Sequence, residues 1–424
     1  PYSPPWYYCH RKTRTMYHDV LLIGDLRVPG GTSRQAANAI RILHDAGYSV
    51  GLIGVELPHA RGPKPIDLPI RERLAAGEAD LIHPDSRQSL EAGLVSFDTP
   101  RAFMERPHLL GKISAKSAII TVHFPVVDAS GKKTFDPAIV EEITQGTVDC
   151  EVKWAPVSRL TRTLLQKHHP NLRFHSRIPS HVVYSEAFRS SRQKPVSTKP
   201  VIGRHSRPEF DKWPDSRSDI LKVYPRDPGI EVALLGTGPY LRKLMGAYPN
   251  NWRTYRFNEI DVSRFLNRID FFVYFHHSSW IEAFGIATAE AMASGAVAIL
   301  PPYMKENFGS GALYCEPEEA VSLVRTLYED WEGYLRQSRK GRAFVRRNHS
   351  PTRYLEILSE LIPPRPRGRG RKPQKKKSRQ YDVVVMADMS RPGPESLRIA
   401  EEIGIQVEAS VKTALVHVPD KGGG

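Results

Sequence analysis

The chain has no D-x-D pair, the usual cradle of a catalytic divalent metal, and no stretch approaching the roughly 18 to 20 apolar residues that a membrane helix needs. Its amino terminus lacks the apolar segment of a secretory signal, so a cytoplasmic location is expected. Cysteine is scarce. Cys9, Cys150 and Cys315 show no C-x-x-C or other metal-ligating spacing and are odd in number, which argues against a disulfide framework and fits a reducing compartment. The first glycine-rich turn, Gly30-Gly31, does not match G-x-G-x-x-G and is followed by no acid in a ribose-binding position, which argues against a nicotinamide dinucleotide. Acids are missing altogether from residues 365–379, nine of which are Lys or Arg.

That one segment carries most of the net charge of +15. Its Pro, Gly and Lys content cannot bury a core, so it is expected to be a solvated linker, with peripheral contact to an anionic membrane as the alternative. It has no interleaved aromatics to stack on bases, which argues against specific nucleic-acid binding. With 424 residues, 40% of them hydrophobic and 25% charged, the chain is long enough for two or more soluble globular domains. Beginning at Pro1 and ending in three glycines, it reads as a piece of something longer.

After a Pro- and Tyr-rich leader (1–16), residues 19–25 read as a strand, 30–32 as a loop, 33–46 as a helix and 49–55 as a second strand, together a βαβ unit. Apolar runs at 79–83, 118–123 and 151–156 alternate with helical or loop segments, as a doubly wound parallel sheet requires. Beyond a hinge near 193–200 a second series of strands follows, at 200–204, 231–236, 253–257, 269–275 and 296–301. Two Rossmann-like α/β domains are therefore expected, 17–197 and 198–349. A helix over 350–362, with Ser350 as cap and Pro351 at its first position, then leads into a basic linker (363–379). Residues 380–424 are expected to be a partial repeat of the first βαβ unit. Residues 381–388 realign without a gap on 18–25 at a constant offset, pairing Asp19 with Asp382, Ser33 with Ser396 and Leu52 with Leu415. A second module would begin there.

The most informative stretch is Glu282-Ala-Phe-Gly-Ile-Ala-Thr-Ala-Glu290-Ala-Met-Ala-Ser-Gly295, which sets two carboxylates eight residues apart around a glycine that opens a helix. The preceding run, 270–276, is aromatic and apolar like a buried parallel strand, so the junction lies at the carboxyl edge of a sheet. There the free N–H groups near Gly285, Ile286 and Ala287 can cradle a phosphate, and Glu290, about one turn in, shares a face with Ala287.

This segment resembles the E-x7-E motif of the GT-B fold glycosyltransferases, and more closely the retaining, family 4-like group, where it is often written E-G-F-G-x-x-x-x-E-A-M-A-x-G. It departs only where Ala283 replaces the first glycine. The resemblance covers about residues 17–362 and is strongest over 200–300. It implies two Rossmann-like domains facing a cleft, with the final helix crossing back onto the first. It also assigns roles. Glu282 would face the donor sugar and Glu290 would hold the nucleotide ribose, while Arg204 and Lys212 would touch the diphosphate, although Trp213 stands where the family usually has glycine. Gly30, Gly31 and Thr32 would form a loop against the diphosphate or acceptor, His123 would lie near the sugar, and the backbone of Phe257 and Asn258 would meet the base. Ser158 reads as a helix cap. His276 and His277 suit the cleft or plain packing equally.

The expected function is retaining transfer of a sugar from a nucleotide-sugar donor to a glycan, lipid or other acceptor, with no metal or other cofactor. Fixed cations and helix dipoles would then neutralise the departing diphosphate. The alternative is a non-catalytic GT-B module that binds a sugar nucleotide or glycan inside a larger protein. A GT-B phosphorylase is disfavoured, since nothing resembles a pyridoxal phosphate lysine site.

Overall fold

The computed structural model describes residues 15–57, 65–82, 89–105, 111–188, 193–362, 383–387, 398–399 and 413–417. Most of the leader and the whole basic linker lie outside the described residues. The first domain is a parallel sheet of β1 (Met16–Gly24), β2 (Val50–Gly54), β3 (Asp80–Ile82), β4 (Leu90–Asp98), β5 (Ile113–Val122) and β6 (Val152–Pro156), in the spatial order β3-β2-β1-β4-β5-β6. Val20, Leu21, Leu22 and Ile23 of β1 are all buried, as befits a strand covered on both faces. Each such side chain contributes roughly 1.5–3 kcal/mol of burial.

The sequence reading missed β4 because Glu91, Gly93 and Ser96 interrupt its apolar run. Ser96 is nonetheless buried, and its hydroxyl meets that of Thr121 on β5 at 2.9 Å, so a satisfied polar pair takes a core position. The first helix spans Gly31–Asp45 and starts two residues before the expected Ser33. Gly30, at φ 114°, makes the sharp turn from which that helix begins and which an L side chain rarely adopts. Ala37, Ile40 and Leu43 are the apolar stripe with which it packs onto the sheet.

The second domain repeats the plan. β7 (Val201–His205), β8 (Glu231–Thr237), β9 (Trp252–Arg256), β10 (Phe271–Val273), β11 (Val297–Leu300) and β12 (Leu313–Tyr314) lie in the order β12-β11-β10-β7-β8-β9. In each sheet the strand order reverses beside the first strand, between β1 and β4 and between β7 and β10, and ligands of open α/β sheets bind at such points. The helix Pro351–Ser359, capped by the Ser350 hydroxyl on the Arg353 N–H, sends Leu358 into the first-domain core beside Val20 and Leu52, joined by Ile362. No helix among the described residues is long and apolar enough to cross a membrane.

The described residues beyond Arg365 fall in a unit of their own. Its strands β13 (Val383–Ala387) and β14 (Thr413–His417) pair in parallel, with Val383 opposite Thr413, which is the β1–β2 register of Val20 opposite Val50 moved along the chain by the offset that aligns the two sequences. A chain ended after Ile362 is expected to keep its melting temperature, because the core clusters of both large domains close within residues 20–362. Calorimetry of the two lengths checks this, and unfolding of the shorter one would make the last unit integral to the fold.

Candidate active site

The carboxyl ends of the strands at both switch points open onto one cleft of about 240 Å³. One wall carries Gly30, Gly31, Thr32 and His123; the other carries Lys212, Phe257, Asn258, Glu282 and the Gly285, Ile286, Ala287 turn, with Glu290 behind it. The helices Gly31–Asp45 and Ile286–Ser294 start on opposite sides of this cleft, so the positive ends of two dipoles border it. Gly285 is required twice over. Its φ of +89° disfavours a side chain, and an added Cβ would lie 2.9 Å from Met304 Cε.

Glu282 is held by its neighbours rather than merely present. Its Oε2 accepts from Tyr274 Oη at 2.7 Å and Lys212 Nζ at 2.9 Å, and more weakly from Trp280 Nε1 at 3.4 Å. The Tyr303 hydroxyl accepts its backbone N–H at 3.1 Å and bonds in turn to His276 Nε2. Lys212 Nζ also sits 4.0 Å from the centre of the Trp280 ring. Burial disfavours the charge on Glu282, but the Lys212 ammonium and the Tyr274 hydroxyl together outweigh it and hold the carboxyl down at about 2. Oε2 is therefore saturated, while Oε1 has no donor among the described residues and remains for a ligand.

Glu290 has a different environment. Burial pushes its carboxyl up, partly offset by Arg34, whose Nη1 lies 2.9 Å from Oε1. His205 Nε2 is 3.4 Å from Oε2, but burial lowers that imidazole to about 3, so it faces Glu290 neutral. His123 meets His181 through Nδ1 and Nε2 at 3.1 Å, and burial beside a second imidazole holds His123 well below its usual range. Its other nitrogen, Nε2, has no partner. At the far end, Asn258 takes φ 62°, a left-handed conformation that turns the backbone just past β9 at the cleft edge.

Arg204 does not reach the cleft. Strand β7 continues through it to His205, so the side chain turns inward and is fully buried. Its guanidinium lies 4.3 Å from the Trp213 ring centre and 4.7 Å from that of Tyr274, and Nη1 donates to the Phe275 carbonyl at 2.9 Å. Trp213, where the resembling family has glycine, fills the space that receives it. Arg207 does line the cleft, with Lys212 and Arg34, and is packed over Gly30 so that a Cβ there would meet Arg207 Cδ at 3.5 Å. Arg207, Arg34, His181, Tyr274 and Trp280 are among the cleft residues that sequence reasoning missed. A second arginine in R-H-S-R and an arginine in the first turn after Gly30-Gly31 were the available signals for two of them. His276 binds Tyr303 and so supports Glu282 from behind, His277 contacts Asp215 at 3.4 Å, and Ser158 caps its helix on the Thr161 N–H. Among the described residues no three His, Cys, Asp or Glu side chains converge as a metal site.

No protein-family model and no curated protein sequence matches the chain. Solved structures do. HepE of Anabaena, crystallised with UDP-glucose, is similar with a TM-score of 0.56 at 13% identity, over 81% of this chain and 99% of that one. A TarM variant from S. aureus, in complex with fondaparinux, alpha-GlcNAc-glycerol and UDP, gives 0.57 at 10% identity over 82% and 100% of the two chains. A glycosyltransferase from Rickettsia africae ESF-5 gives 0.55 at 13% identity over 81% and 97%. At such identities the likeness is one of fold, and the fold is GT-B: two Rossmann-like domains facing a cleft.

Proposed function

We propose that the chain is a retaining glycosyltransferase that moves a sugar from a nucleotide-sugar, with UDP-sugars the first candidates, to a glycan or lipid-linked acceptor without a metal. The observation that carries this reading is Glu282, a carboxylate pinned through one oxygen by Tyr274 and Lys212 beside the start of the helix Ile286–Ser294. A carboxylate fixed in this way can stabilise the cationic character that builds on the sugar as its anomeric bond breaks. The departing diphosphate would meet Arg207, Lys212 and the amides of Gly285 to Ala287. Glu290 would take the ribose hydroxyls, for which it must share or release Arg34. The acceptor would enter from the side of Gly31, Thr32 and His123, and approach of the two domains would exclude water. HepE and TarM have been crystallised with UDP-glucose or UDP, which makes UDP the first nucleotide to test.

The experiment is a turnover assay across UDP-, GDP- and ADP-sugars with glycan and lipid acceptors in the presence of EDTA. Product of retained anomeric configuration supports the proposal. Binding of a nucleotide with no turnover would favour the non-catalytic module, and activity lost to EDTA but restored by Mn²⁺ or Mg²⁺ would refute metal independence.

The two arginines should separate cleanly. Arg207→Ala is expected to leave the melting temperature unchanged and weaken UDP binding about tenfold, the loss of one or two charge-assisted hydrogen bonds. Arg204→Ala should instead cost about 2 kcal/mol of stability, because it empties a buried stack between Trp213 and Tyr274. Titration calorimetry with thermal melts reads both, and the opposite pattern would return Arg204 to the diphosphate.

A further inference from the structure

A second cavity, of about 360 Å³, lies on the other side of Phe284 from the cleft, and Phe284 is a wall of both. It is built where the domains meet. The helix Arg159–His168 and the segment 176–180 supply one side, and Asn307, Phe344, His349 and Arg353 supply the other. We propose that this cavity binds a phosphorylated monosaccharide.

Four guanidiniums line it, those of Arg159, Arg162, Arg177 and Arg353, against one carboxylate, Glu306. Their present contacts show how much of that charge is available. Arg162 Nη1 donates to the carbonyls of His175 and Ser176, each at 3.2 Å, so its charge is not cancelled. Arg353 bonds Glu356 at 3.1 Å, and Arg177 contacts Glu360. Arg159 has neither an ion-pair nor a hydrogen-bond partner among the described residues, and it stands in the first turn of its helix, where the dipole also favours an anion. Guanidiniums grip carboxylate and phosphate oxygens alike two at a time, and four of them against one carboxylate suit the dianion of a phosphate better than a single carboxylate.

The remaining walls suit a sugar. Phe284 and Phe344 offer apolar faces, Ser176 and Asn348 offer a hydroxyl and an amide, and the volume is within the roughly 300–1,000 Å³ of small-molecule sites. His349, 6% exposed, belongs to the same apolar wall, its ring packed against those of Phe284 and Phe344.

The site is mechanically joined to the cleft. Ser158 Oγ and Asn307 Nδ2 both donate to the Ala283 carbonyl, the latter at 3.0 Å, and both line the second cavity. Ala283 is the residue between Glu282 and Phe284, so a ligand that draws these walls together changes the setting of Glu282. Binding itself does not depend on the proposed transfer reaction. Only the effect on turnover does.

The test is titration calorimetry of the full chain with a hexose 6-phosphate, the free hexose and inorganic phosphate, each with and without saturating UDP. The hexose phosphate should bind at least about tenfold more tightly than either part, without competition from UDP. Arg159→Ala, at an exposed and unpaired position where folding is not at stake, should weaken it about tenfold, and Arg159→Lys should restore part of the loss. Competition by UDP, equal affinity for inorganic phosphate, or undiminished binding in both Arg159→Ala and Arg353→Ala would each overturn the assignment. If hexose phosphate binds as described but no donor is ever turned over, the cavity stands and the transferase reading falls.

Discussion

Glu282→Gln is expected to lower the rate of sugar transfer by about 10²–10³-fold, roughly 3–4 kcal/mol of barrier, while nucleotide affinity changes by no more than about threefold. The amide keeps the shape and can still accept from Tyr274 and Lys212, so the site should stay assembled. What it removes is negative charge next to the sugar, which matters in the transition state and little in the ground state. Glu290→Ala should do the reverse, because on the proposed reading that side chain takes the ribose hydroxyls; its main effect would be on KM for the donor and the Kd of the nucleotide. Steady-state kinetics with calorimetric binding separate the two. Equal and small effects in both variants would remove the donor-site assignment.

Lys212→Met is expected to be the most destabilising single change at the site, by about 3–5 kcal/mol at neutral pH, since it leaves a buried carboxylate without its cation. Lys212 and Glu282 are both largely buried, with side chains 9% and 17% exposed. The sign of the pH dependence tests the cause. In the unaltered chain the Glu282 carboxyl is held at about 2, below its ordinary 4.5, so its contribution is complete above about 4.5 and is lost as pH falls through that window. Without Lys212, burial is opposed mainly by Tyr274, and the carboxyl should rise above its ordinary value. The group then favours the folded state below 4.5 and ceases to as pH rises, so the local slope of stability against pH reverses. Denaturant melts from about pH 2 to about pH 8 span both windows and read this directly. An unchanged slope would mean that Lys212 is not the group holding Glu282 ionised.

Much of this site was legible because its parts are local. A glycine that must take positive φ, the helix it opens and two glutamates on either side all sit within fourteen residues, 282–295, and their spacing alone fixes where each side chain lies relative to the helix start. The same holds for Gly30 and the helix after it. Arg204 shows where that logic stops. Nothing in Val201-Ile-Gly-Arg204 tells whether the strand ends at the arginine or one residue later, and that single residue decides whether the guanidinium faces a ligand or Trp213. β4 was lost for a related reason, since its buried Ser96 is satisfied from a partner strand remote in sequence, by the hydroxyl of Thr121.

By itself, then, the sequence determined the alternation of strands and helices, the two-domain plan and the placing of Glu282, Gly285 and Glu290 about the start of a helix, because apolar periodicity and backbone freedom are properties of neighbouring residues. Tertiary structure alone decided which cations reach the cleft, how Tyr274, Lys212 and Trp280 converge on one oxygen of Glu282, and that Arg34 crosses from the first domain to Glu290. Those contacts join residues 8 to 256 positions apart, 2 for Trp280 excepted, and burial sets the charge states that make them work. No local pattern encodes either the contact or the dielectric around it.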